Sequence, residues 1–166
     1  AAAMGLSSGP IAAVPMALLS AGAVALTFRL RTTFKAIAVH NRATDLILRG
    51  DLDGAEPMLE RFSRLGGSVG QSIALQLATV SMLRGDMATC EQRATASIGH
   101  RPRLDFAMSG RALADLARSV RAFARAAQGK GEAAMEDIRE VRAECMQVVP
   151  LARVAVAELL LLSRES

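Results

Sequence analysis

Apolar residues recur every three to four positions through most of this chain, and glycine-centred breaks divide the pattern into segments. Phe34, Ile37, Ala38, Ala43, Leu46 and Ile47 form one face, opposite Lys35, His40, Asn41 and Arg42. After Gly50-Asp51 the spacing resumes at Leu52, Ala55, Leu59 and Phe62, and Gly66-Gly67 ends it. Ile73, Leu75, Leu77, Val80 and Leu83 make a third face, which Gly85-Asp86 separates from Met87, Cys90 and Ala94. Leu113, Leu116, Ala117, Val120, Phe123, Ala124 and Ala127 give the cleanest stripe. Beyond Gly129 and Gly131 it is answered by Ala134, Met135, Ile138 and Val141. This period is helical. A last segment, Leu151 to Leu162, opens at Pro150 and is too apolar for a free surface helix.

The breaks are copies of one another. Leu48-Arg49-Gly50-Asp51-Leu52 returns 35 residues later as Leu83-Arg84-Gly85-Asp86-Met87, and more loosely after a further 44 as Ala127-Gln128-Gly129-Lys130-Gly131. Glycine can take φ > 0 just past a helix end, and the Asp behind it can cap the next helix. Each copy therefore predicts the turn of a helical hairpin. A linker from Arg103 to Ser109, after His100-Arg101-Pro102, accounts for the longer third spacing. Pro57 sits about a turn into its segment, where an interior proline costs about 3 kcal/mol. That helix either starts late, near Ala55, or is kinked.

The first 28 residues are different, with no charge between Ala1 and Phe28. Pro10 to Phe28 offers 19 largely apolar residues, close to the ~20 that span a bilayer. Arg29, Arg31, Lys35 and Arg42 follow before the first acid, Asp45. Positive charge on one flank places the remainder on the cytoplasmic side. Residues 1–30 thus read as a transmembrane helix and 31–166 as a separate helical domain. A signal peptide ending near Ala21-Gly22-Ala23, lacking the usual positive n-region, and a buried Ala-rich helix are the alternatives. The chain does not open with Met, which fits a piece of a longer protein with an upstream helix missing.

At 166 residues the chain can bury a core without disulfides or metals. It has no Trp or Tyr, and its net charge of +4 mixes both signs, so it does not demand nucleic acid. Cys90 and Cys145 lie far apart without a CxxC, which points to two buried thiols.

With three turns in place, the chain resembles the tetratricopeptide repeats over roughly Phe34 to Arg164. That family repeats a helix-turn-helix unit of about 34 residues, with small residues where helices cross. Small residues stand five positions after each turn glycine (Ala55, Cys90, Ala134) and seven before (Ala43, Ala78, Ala122). Pro102 alone matches the family's unit-ending proline, and its aromatic positions are mostly missing. The resemblance implies an all-α fold: antiparallel helix-turn-helix repeats stacked as a short solenoid. Its units lie near 34–67, 70–102 and 110–146 with a partial one at 150–164, and one transmembrane helix precedes them. A plain antiparallel helical bundle is the simpler alternative.

The resemblance also implies a protein-interaction module. In its membrane-anchored form this would be a scaffold recruiting a protein or peptide partner, with homo-oligomers open. Residues 10–28 would hold it to the membrane. The alternative is a structural subunit packed permanently into a larger membrane complex. One specialisation of the family clamps acidic chaperone tails with Lys and Asn. Gln71 to Arg84 contains neither, so that specialisation is rejected.

Candidate chemistry is sparse. Arg111, Arg118, Arg121 and Arg125 fall within about a third of one helix's circumference at ~100° per residue. They are the candidate partner-binding residues, a cradle for an acidic peptide or lipid headgroups. The competing reading pairs them with the Glu-rich segment Glu132 to Glu144. No aromatics interleave with them, which weakens nucleic-acid stacking. His40 and His100 lack ligand partners at metal spacing. Asp51 and Asp86 read as caps, and Glu136 and Glu140 sit among arginines. No nucleophile motif, phosphate loop or HExxH occurs, so neither an enzyme, a cofactor nor a metal is expected.

Overall fold

The three turns share one hydrogen-bond pattern in the computed structural model, which describes residues 13–99, 110–145 and 147–165. Gly50, Gly85 and Gly129 take φ of 80°, 79° and 79°. Each donates its N–H to the carbonyl three residues back: Ile47, Met82 and Ala126. The following residue (Asp51, Asp86, Lys130) donates five back, to Leu46, Ser81 and Arg125. Paired bonds of this kind close a helix end and require the left-handed glycine between them. Asp51 then accepts from the Gly54 N–H at 2.9 Å, and Asp86 from the Thr89 N–H at 3.1 Å. Such caps are worth about 1 kcal/mol. Lys130 begins its helix without one.

Among the described residues these turns join seven helices: α1 (Ala13–Leu48), α2 (Leu52–Glu60), α3 (Gly67–Leu83), α4 (Met87–Gly99), α5 (Gly110–Ala127), α6 (Gly131–Glu144) and α7 (Val148–Glu165). The chain divides into two units, Ala1–Ala36 and Ile37–Ser166, with the boundary inside α1.

In the first unit the expected transmembrane helix over residues 1–30 is corrected: among the described residues no helix is long and apolar enough to cross a membrane. The apolar stretch does not stand as an element of its own. It is the opening of a 36-residue helix that runs on through Arg31, Lys35, Arg42 and Asp45. Ala, Ser, Gly and Pro15 dilute its apolar character before those charges begin. Thr27 and Thr32 return their hydroxyls to the carbonyls of Ala23 and Phe28 at 2.8 and 2.9 Å. Residues 1–12 lie outside the described residues, as does the linker Arg103–Ser109.

In the second unit neighbouring helices pack in chain order: α2 on α3, α3 on α4, α4 on α5, α5 on α6 and α6 on α7. The first helices of successive pairs also touch, α3 with α5 and α5 with α7. Ala43, Ala55, Ala78, Cys90, Ala122 and Ala134 all have zero exposure. These are the six small positions flanking the turns. Two apolar clusters result. One joins Leu75, Ala78, Cys90, Ala94, Leu113 and Val120; the other joins Ala122, Ala134, Ile138, Val141, Val154 and Ala157.

Three local expectations change. α2 starts at Leu52, not near Ala55, and holds Pro57 inside a helix of only nine residues. The pair Gly66-Gly67 opens α3, with Gly67 at φ 75°, and the preceding helix has already ended at Glu60. α7 begins at Val148, so Pro150 occupies its first turn, where a missing N–H leaves no bond broken.

Candidate functional site

Charged side chains lace the seams between the helix pairs. Glu56 on α2, six residues after its turn glycine, receives Arg84 and, at 2.6 Å, Arg93. Arg93 also bonds the Ser81 hydroxyl at 2.8 Å. Glu91, six residues after the next turn glycine, receives Arg125 at 2.9 Å, Gln128 at 3.1 Å and Lys130 at 2.6 Å. In both seams the residue just before the following turn glycine, Arg84 or Gln128, reaches back to the glutamate. The third unit has Met135 at that position, packed on the second apolar cluster.

Burial works against the charge on Glu91, but hydrogen bonds from Lys130, Arg125 and Gln128 prevail and hold its carboxyl down at about 2. A folded-state value below the ordinary 4.5 gives stability that is present above 4.5 and lost as pH falls toward 2. Glu91→Gln should therefore flatten the decline in urea stability between pH 5 and pH 2.5. An unchanged acid limb would show that Glu91 does not set it.

Three of the four arginines singled out on α5 fall into this lacework. Arg121 grips Asp137 on α6 through Nε at 2.9 Å and Nη2 at 2.5 Å. Arg125 adds Nη1 to the same carboxylate at 3.0 Å while holding Glu91 on α4. Asp137 is only 1% exposed. Arg118 lies 2.6 Å from Glu140 and 3.3 Å from Asp115. Arg111 stands exposed near the start of α5. Arg118, Arg121 and Arg125 thus meet acids of their own chain, and the field they offer outward is largely cancelled.

His40, half-buried, faces α3, with Ser72 Oγ at 3.3 Å and Gln76 Nε2 at 3.5 Å, and burial lowers its pKa. Cys90 and Cys145 are buried free thiols, and burial pushes Cys90 up to about 11. His100 lies outside the described residues.

A different place combines apolar surface with an unanswered charge. Met82 and Leu83 at the end of α3, Met87 at the start of α4, Phe123 on α5, and Ala152, Arg153 and Val156 on α7 line a groove of about 470 Å³. That volume lies in the range of ligand-sized sites, about 300–1,000 Å³. Arg153 is set into it beside Cys90, and burial lowers its pKa. Arg84, Arg93, Arg118, Arg121, Arg125 and Arg142 each meet a carboxylate. Among the described residues Arg153 has neither an ion pair nor a hydrogen bond. No family model, curated protein or solved structure matches the chain. Function must be argued from this geometry.

Arg153 was not among the residues singled out from the sequence. The signal was available: it is the only charge between Pro150 and Glu158 in an otherwise apolar segment.

Proposed function

We propose that this chain is a protein-interaction scaffold of the tetratricopeptide-like kind, and that its partner docks along the groove of α3, α5 and α7. One observation carries the reading: an apolar groove between successive first helices holds a guanidinium with no counter-charge among the described residues. A folded chain gains nothing from desolvating an unpaired charge, so such a group points to a ligand that completes it. The three matched turns support the repeat resemblance, and the pairing of Arg118, Arg121 and Arg125 with acids of their own chain moves the docking surface away from their stripe.

A site-dependent crosslinking experiment tests it. A photoreactive residue placed at Val156 or Leu83 of the full chain, expressed in its own cells, should give one discrete protein adduct. The same probe at exposed Gln92 on α4 should not. Adducts of equal yield at Gln92, or none at either groove position, would remove the groove as the docking surface.

The second reading, a subunit packed permanently into a larger assembly, is favoured by α7, which leaves Val148 80%, Leu159 65% and Leu162 61% exposed. It requires the purified full chain to be an obligate oligomer at low micromolar concentration, whereas a scaffold gives a monomer or dimer.

A further inference from the structure

The chemistry inside the groove narrows the partner. This step rests on the docking reading above. Arg153 is the one charged side chain among the described residues that line the groove; the others are Met, Leu, Phe, Ala and Val. Its charged neighbour in principle, Cys90, stays a neutral thiol at pH 7. A half-buried guanidinium such as this is satisfied best by one planar carboxylate, which can accept two parallel N–H bonds. On α7, Val149 and Val156 lie one turn either side of Arg153 on the same flank of the helix, and both are exposed. An acid that reaches Arg153 is therefore bracketed by apolar surface on both sides.

The source of the carboxylate also follows. A chain terminus is usually captured by a nest of free backbone N–H groups. Here the lining residues belong to helices, and the amide of Met87 is engaged by the Gly85 carbonyl at 3.0 Å. A side-chain acid needs only the guanidinium. We infer that the groove takes a peptide segment of another protein in which a single Asp or Glu side chain, bracketed by apolar residues, pairs with Arg153. A polyanion such as a nucleic acid or an anionic membrane gains one contact here and loses water from its other charges against Leu83, Phe123 and Val156.

The test uses the full chain and two fluorescent pools of 12-residue peptides, N-acetylated and C-amidated. Their positions are drawn from Ala, Leu, Val, Phe, Ser and Gly around a fixed central Glu or a fixed central Gln. The Glu pool should bind about tenfold more tightly than the Gln pool, as a charge-assisted bond implies. In Arg153→Met that preference should vanish while the Gln pool binds at least as well as to wild type. Arg153→Lys should keep part of the preference. Equal binding of both pools to wild type would overturn the acidic partner and leave the apolar groove standing. Binding of neither pool would take the docking reading down as well. A third pool with central Gln and a free C-terminal carboxylate, binding best of the three, would overturn the side-chain assignment. Selective capture of 100-nm phosphatidylglycerol vesicles in place of any peptide would do the same.

Discussion

Replacing Asp137 with alanine should lower the unfolding free energy by about 3–5 kcal/mol, the cost of removing one partner from a buried ion pair. The carboxylate is 1% exposed and takes three hydrogen bonds, two from Arg121 and one from Arg125. Arg125 keeps Glu91 when Asp137 is gone. Arg121 keeps nothing at bonding distance, and its side chain is only 17% exposed. The loss is therefore mostly the penalty of a stranded guanidinium, not the net worth of the pair. Arg121→Met in the Asp137→Ala background should recover a good part of it, because the charge that needed an answer has been removed. Urea denaturation of the four forms measures both quantities. A loss below about 1 kcal/mol for Asp137→Ala, or no recovery in the double variant, would refute this account.

Ala122→Leu should cost at least the usual 1–3 kcal/mol of an overpacked core. Ala122 has zero exposure and stands seven residues before its turn glycine, in the apolar cluster that joins α5, α6 and α7. A larger side chain there must push one of those helices away, since packed interiors hold few voids. Ala88→Leu, on the exposed face of α4, is the control, expected within about 0.5 kcal/mol of wild type. Thermal or urea melts of the two variants decide the matter. Similar stability in both would mean that the small residues before the turns are compositional accident.

What could be read from the sequence follows a physical division between local and distant. Turn glycines, capping aspartates and small crossing residues act within a few positions of themselves. Gly50, Gly85 and Gly129, with their flanking alanines and Cys90, were legible for that reason. Helix limits depend on several weak local terms, and there the reading slipped: Pro57 is tolerated inside α2, and Gly66-Gly67 begins a helix. The transmembrane expectation failed on apolarity over a sufficient length: among the described residues no helix has both. A count of uncharged residues does not register that the helix carries on into Arg31, Lys35 and Asp45.

The ion-pair seams were harder still. Glu91 meets Arg125 and Lys130 across 34 and 39 residues of chain, and no window on the sequence spans that. A clue did exist in the shared position of Glu56 and Glu91, each six residues after a turn glycine. Asp137 offered none, because nothing on α6 marks which acid will be buried. Arg153 stood out only once the guanidiniums along the seams had found their acids.

The substitution of Met135 for a glutamate at the third seam has a consequence for how the array responds to its surroundings. Two of its joints are clasped by charge, between α2 and the next pair and between α4 and α5. The joint to α7 is closed chiefly by hydrocarbon, with Arg142 and Glu158 as a clasp at its rim. Dissolved salt acts on the first kind, most at exposed members such as Lys130, and far less on the second. Cooling weakens the second, because apolar attraction fades with falling temperature. One continuous stack of helices is thus jointed like two materials, and the medium decides which of its ends is the looser.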